Sequence, residues 1–130
     1  MKYASITKIF RFEAAHHLPD HQGKCACLHG HSYKLEVTLR GAIKDSVGAS
    51  DNGMVMDFGD ISQIVKGAVI EQLDHQDLNT VTGLYTTAEN LVHWIWAELL
   101  KYGLSKGLLH RVRLWETETS FAEITQQEYD

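Results

Sequence analysis

Two alternating stretches, each carrying histidine at one end of its apolar face, constrain this 130-residue chain more than any other feature. Along residues 6–16, Phe10, Phe12, Ala14 and His16 share one parity, while Arg11, Glu13 and His17 share the other. Along residues 29–40, His29, His31, Tyr33, Leu35, Val37 and Leu39 share a face, and Lys34, Glu36, Thr38 and Arg40 point away. Period-two alternation marks a strand with one face on a core, because successive strand side chains point to opposite faces. The run His29-Gly30-His31 therefore sets two imidazoles side by side, with Gly30 removing bulk from the opposite face. Residues 18–28, with Pro19 and Gly23, read as the connecting loop. Antiparallel pairing of the two strands brings His16 beside His29 and His31.

Three imidazoles converging at one end of two strands make a three-nitrogen metal site with an open fourth position, the arrangement of a catalytic rather than a structural zinc. His17 and His21 compete as ligands, but His17 has the wrong parity and His21 lies in the loop. A four-ligand site built from Cys25, Cys27, His29 and His31 would crowd all its donors into one short run. Structural sites draw ligand pairs from two separated segments, which argues against it. A thiol beside the metal would instead have its pKa lowered by the nearby positive charge and serve as a base, and spacing alone leaves Cys25 and Cys27 equivalent in that role. A disulfide between two cysteines this close would be strained, so both read as thiols.

Further along, residues 41–53 form a polar loop and 54–58 a short strand. Helical spacing runs from Asp60 to Leu73 through Ile61, Ile64, Val65, Ala68 and Val69. A second helix begins near Thr86, where Thr86-Thr87-Ala88-Glu89 fits a capping box, carries the stripe Leu91, Val92, Ile95 and Leu99, and stops at Gly103. Residues 109–116 and 121–124 read as two more strands. Strands and helices do not alternate regularly, so an antiparallel α+β domain is expected rather than a parallel sheet.

Three further groups carry chemistry. Asp74 and His75, after the first helix, form a carboxylate–imidazole pair suited to a proton relay, or plain solvated polar residues. Glu116 ends the apolar parity of its strand, where a carboxylate is costly unless paired. A ligand with a guanidine-like edge, two N–H donors side by side, would pair with it bidentately; a strand end that has reached solvent is the alternative. Thr87 and Glu89 read most simply as helix caps.

Composition narrows the partners. A net charge of −5 with no basic stripe argues against nucleic acid. Apolar content of 44% with no membrane-length apolar run, and an N-terminus without the apolar stretch of a signal peptide, lead to the expectation of a cytoplasmic protein of one domain, residues 1–130, with no membrane partner.

Taken in order, Phe12-Glu13-Ala14-Ala15-His16, Cys25-X-X-X-His29-Gly30-His31, Gly53-Met54-Val55-Met56-Asp57-Phe58, Leu73-Asp74-His75-X-X-Leu78-Asn79, Thr87-Ala88-Glu89-Asn90 and Glu116-Thr117 resemble the 6-pyruvoyl-tetrahydropterin synthase family over nearly the whole chain. Within it they look most like the bacterial 6-carboxy-tetrahydropterin synthases of queuosine biosynthesis. Pyruvoyl-forming members resemble one another in having five residues between the catalytic cysteine and His-X-His; carboxy-forming members have three. Three separate Cys25 from His29 here, which also selects Cys25 over Cys27. The resemblance implies a Zn2+ ion on His16, His29 and His31, and a proton-transfer group of Cys25, Asp74 and His75. It implies Glu116 on the amino-pyrimidine edge of a pterin substrate, with Thr87 and Glu89 near it. The implied fold is the tunnelling fold: a four-stranded antiparallel sheet with two helices on one face, closing as trimers into a barrel and stacking into a hexamer. Active sites then lie between subunits, with Asp74 and His75 coming from a neighbour. The implied reaction is a zinc-dependent lyase step on 7,8-dihydroneopterin triphosphate; the pyruvoyl-forming reaction and a non-catalytic zinc module are the alternatives. The chain departs from the family in carrying Cys27 as a second thiol, in a longer 41–53 loop, and in Thr86 where a proline is common.

Overall fold

Alternation becomes burial directly in the first strand. In the computed structural model, which describes residues 1–130, β1 (Tyr3–His16) buries Phe10, Phe12, Ala14 and His16 and leaves Arg11 and Glu13 exposed. β2 (His29–Ala42) pairs with it antiparallel without interruption, from Tyr3 opposite Ala42 to His16 opposite His29. β4 (Leu109–Thr117) adds antiparallel to β2, and β5 (Ser120–Thr125) to β4. A two-residue strand, β3 (Gln76–Asp77), lies parallel to β1 at Ala14 and Ala15. The sheet is thus five-stranded and mixed, in the order β3-β1-β2-β4-β5, not the four antiparallel strands expected. The parallel strand exists because the chain turns sharply at His75 (φ 60°) and runs back along the edge of β1. There the His75 N–H donates to the Glu13 carbonyl, and the Asp74 carboxylate accepts from the Glu13 N–H at 2.9 Å.

Helices cover one face. α1 (Phe58–Val65) runs through a π-helical turn at Lys66–Ile70 into α2 (Glu71–Leu73). α4 (Ala88–Lys101) buries Leu91, Val92, Ile95, Trp96 and Leu99 and stops before Gly103, whose φ of 103° favours glycine. Two short helices were not anticipated: α3 (Leu78–Thr82) and α5 (Gln126–Tyr129). Buried residues from the inner sheet face and both long helices form one core of 23 side chains. No helix is long and apolar enough to cross a membrane.

Two local expectations are corrected. Residues 54–58 are not a strand: the backbone of Lys44 pairs with Gly53 and Met54, forming a turn, and Asp57 then caps α1. The Asp57 carboxylate accepts from the N–H groups of Gly59 (2.7 Å) and Asp60 (3.1 Å), satisfying helix donors that otherwise lack partners. Asp57→Ala is expected to lower stability by about 1 kcal/mol, read as a shift of the denaturant midpoint at unchanged slope. The second correction concerns the cap of α4. Thr87, not Thr86, is the N-cap and accepts from the Asn90 N–H at 3.2 Å, so Glu89 is not placed for a capping box. Thr86 is fully buried and its side chain is committed elsewhere.

Candidate metal centre and adjoining cleft

Strand register assembles the centre. His16 ends β1 and His29 opens β2 directly opposite it; His31 stands two residues on, opposite Ala14. The three rings meet edge to face with centroids 4.7, 5.1 and 4.8 Å apart. One ligand nitrogen from each lies within 4.8 Å of the others, a cluster that could hold a metal ion. Neither thiol belongs to that cluster, so the cysteine-containing site is not formed.

Two of the rings are held in the tautomer a metal needs. The His16 Nδ1–H donates to the Thr86 carbonyl at 2.9 Å, and the His29 Nδ1–H donates to the Cys27 carbonyl at 2.8 Å. A ring that gives its Nδ1 proton to a carbonyl turns an Nε2 lone pair inward. The Nε2 atoms of His16 and His31 are buried and have no hydrogen-bond partner. Buried polar atoms are nearly always satisfied, so two orphaned lone pairs facing a common centre fit a bound cation. Burial, first, lowers the pKa of both His16 and His31; for His31 the neighbouring imidazole of His29 adds to it, while Glu116 opposes the shift.

The depressed values have a stability consequence. Where the unfolded imidazole titrates near 6.5 and the folded one below it, the unfolded state binds more protons, so stability falls as pH drops through 6.5. Chelator-treated protein should show a denaturant midpoint that declines as pH falls below 6.5.

Glu116 faces the same centre. Its carboxylate lies 3.8 Å from His16 Nε2 and 3.9 Å from His31 Nε2, and it remains part-exposed. It has neither dropped into the core nor turned fully to solvent. Glu116, Thr87 and Glu89 line one cleft of about 460 Å³, together with Leu18 and Phe121. The three residues expected on the substrate are therefore brought together. Tyr33, buried with its hydroxyl unpartnered, lies beside His31, and burial followed by the Glu116 charge pushes its phenol pKa up.

The expected proton-transfer residues lie outside the cluster of ligand nitrogens. Asp74 Oδ1 and His75 Nδ1 are 3.0 Å apart, as the relay requires. The Asp74 carboxylate is held below its usual range, chiefly by the Glu13 N–H. His75, however, is largely exposed and lines a second cleft of about 530 Å³ with Glu13, Gly30 and Ser32, whose strand positions face away from the core, and with His31 of the triad. Gly30 opens onto that outer cleft, and a Cβ there would meet only the Ala14 carbonyl, at 3.6 Å. Cys25 is half-buried in a 3₁₀ turn (Lys24–Ala26), and its carbonyl accepts from the Leu18 N–H, tying the loop to the end of β1. Cys27 is exposed.

Sequence reasoning missed Thr86 and Asn79. Thr86 was read as a helix cap; it touches His16 through both its carbonyl and its hydroxyl. Asn79 hydrogen-bonds the His17 backbone twice. In the sequence Asn79 stands only as part of the Leu73-Asp74-His75-X-X-Leu78-Asn79 run, which carries no signal of this contact.

An α+β fold thus presents, at one end of its sheet, three imidazoles that could hold a metal ion, with a carboxylate and a cleft beside them. Residues 5–127 match the family description "6-pyruvoyl tetrahydropterin synthase", and the chain belongs to that family. It is 43% identical over 118 residues to a 6-carboxy-5,6,7,8-tetrahydropterin synthase of Synechocystis sp., covering 90% of this chain and 89% of the relative. Identity to the Haemophilus influenzae protein of the same name is 37% over 139 residues, covering 91% and 96%. The fold matches a 6-pyruvoyl tetrahydropterin synthase of Caenorhabditis elegans with a TM-score of 0.84 at 23% identity, over 96% of each chain.

Proposed function

We propose that the chain is a zinc-dependent carbon–carbon lyase that converts 7,8-dihydroneopterin triphosphate and water to 6-carboxy-5,6,7,8-tetrahydropterin, acetaldehyde and triphosphate in queuosine biosynthesis. The observation that carries this reading is the 43% identity to a relative named 6-carboxy-5,6,7,8-tetrahydropterin synthase, joined to the three-residue interval between Cys25 and His29.

His16, His29 and His31 would hold Zn2+, which supplies Lewis acidity toward the side-chain hydroxyls of the substrate when bound. Glu116 accepts the paired N–H donors of the amino-pyrimidine edge and sets the ring in the cleft, with Thr87 and Glu89 beside it, so that the side chain points to the three imidazoles. Cys25 as thiolate takes a proton from the substrate side chain, and His75, oriented by Asp74, gives or takes protons as triphosphate leaves and the carbon–carbon bond breaks. Lys24 and His17 are the nearest basic groups in sequence for the triphosphate. A reducing, cytoplasmic setting belongs to this reading, in which Cys25 and Cys27 remain the free thiols they are here.

Assembly completes the site. β1 pairs with β2 on one side and, on the other, only at Ala14 and Ala15; β5 pairs with β4 alone. Two unpaired strand edges on one chain suit head-to-tail addition of copies, and closure of such a ring removes the edges. A trimeric barrel, stacked as a hexamer, would place the Asp74–His75 pair of one chain near the triad of another.

Incubation with 7,8-dihydroneopterin triphosphate should release acetaldehyde and a product of the 6-carboxy mass. Triphosphate release without acetaldehyde would assign the pyruvoyl-forming reaction instead, and no turnover by zinc-loaded protein would leave a non-catalytic module. Each of His16→Ala, His29→Ala and His31→Ala should lose zinc in metal analysis, and retention in all three would refute the ligand set.

A further inference from the structure

His16 is the most deeply buried of the three imidazoles, 1% exposed, and its Nδ1 meets two oxygens of one residue. The Thr86 carbonyl lies at 2.9 Å and the Thr86 hydroxyl at 3.1 Å. The carbonyl can only accept, so it calls for the proton on Nδ1, and the hydroxyl supports that tautomer only if it accepts as well. If it donated to Nδ1, the ring proton would move to Nε2 and close the position a metal needs. Two acceptors draw the hydroxyl proton the other way: Asn79 Oδ1 at 3.3 Å and the His17 carbonyl at 3.4 Å. Thr86 Oγ1 then presents a lone pair to the His16 Nδ1–H, alongside the carbonyl.

Asn79 cannot turn its amide around to donate instead. Its Oδ1 accepts from the His17 N–H at 3.0 Å, and its Nδ2 donates to the His17 carbonyl at 2.9 Å, so the pairing with the His17 backbone fixes which end is oxygen. Its own N–H donates to the Asp77 carboxylate at 3.0 Å. A chain of hydrogen bonds thus runs from Asp77 through Asn79 and Thr86 to the buried imidazole.

We propose that Asn79 and Thr86 are positioning residues for metal binding: they hold His16 in the Nδ1-protonated tautomer and point its Nε2 at the ion. The inference rests on the reading of the triad as a metal site and assigns a role that neither the triad nor the family membership specifies. Outer partners of this kind change metal affinity about 10–100-fold when removed.

The test is zinc affinity by competition with a chromophoric chelator, joined to the visible d–d absorption of the Co2+-loaded protein and the melting temperature of the metal-free protein. Thr86→Val keeps the carbonyl and the shape but removes the hydroxyl; it should weaken zinc about tenfold and alter the cobalt spectrum. Asn79→Ala should weaken zinc by about 10–100-fold, and Thr86→Ser should restore both readouts. Thr86→Val is isosteric and decides the matter alone if Asn79→Ala fails to fold. Unchanged zinc affinity and cobalt spectrum in Thr86→Val, with or without a lower melting temperature, would overturn the inference. If His16→Ala still loses zinc in that case, the metal site stands and only the positioning role falls. Wild-type affinity in His16→Ala as well would remove both.

Discussion

Replacing Cys25 by alanine is expected to lower turnover about 10²–10⁴-fold, the range lost when a positioned acid–base group is removed, while zinc content stays at the wild-type level. The separation of these two effects follows from the site. Neither thiol is among the clustered donor atoms, so removing either should leave the three imidazoles as they are. Cys27→Ala supplies the contrast. Cys27 is exposed, and its contribution is a backbone carbonyl that accepts a hydrogen bond from the His29 Nδ1–H, which alanine supplies equally well. Cys27→Ala should therefore keep both zinc and turnover within about twofold, the scale of surface substitutions away from special features. The reverse pattern, with Cys27→Ala inactive and Cys25→Ala active, would move the base two residues along the chain. Loss of zinc in Cys25→Ala would show that the thiol is a ligand after all.

The reason the triad was legible in the sequence, and β3, the role of Thr86 and the 54–58 turn were not, lies in the interactions involved. Strand parity is a local property: His16, His29 and His31 continue the apolar faces of Phe12 and Tyr33, and one antiparallel pairing suffices to bring them together. The stripe of α4 was legible for the same reason. Thr86 illustrates the opposite case. Local propensity favours it as a helix cap, but a buried imidazole 70 positions away in the chain claims both its oxygens, and the cap passes to Thr87. β3 has only two residues and no pattern; it forms because the edge of β1 offers unpaired groups at Glu13. The 54–58 segment carries strand-forming residues, yet Asp57 and the turn to Lys44 take its backbone. In each miss a hydrogen bond that the hydrophobic pattern does not encode outweighed a propensity worth a fraction of a kcal/mol.

Mixing two inactive variants should restore activity. Cys25→Ala lacks the proposed base but has an intact Asp74–His75 pair, and His75→Ala has the reverse defect. In a single chain His75 is largely exposed and shares a cleft with His31 at the edge of β1, where a neighbouring copy can also reach. If each site takes Cys25 and the triad from one chain and Asp74–His75 from the next, random 1:1 assembly leaves about a quarter of sites with both intact. Co-refolded or co-expressed variants should then show about 25% of wild-type turnover, whereas each alone stays near or below about 1%. Equal mixtures that remain at the level of the separate variants, in assemblies shown by native mass measurement to contain both, would place the relay and the metal in the same chain. His75 would then act on the triad of its own chain through the cleft it shares with His31. Complementation and its absence thus decide whether the free edge of β1 is a surface of the monomer or one wall of the active site.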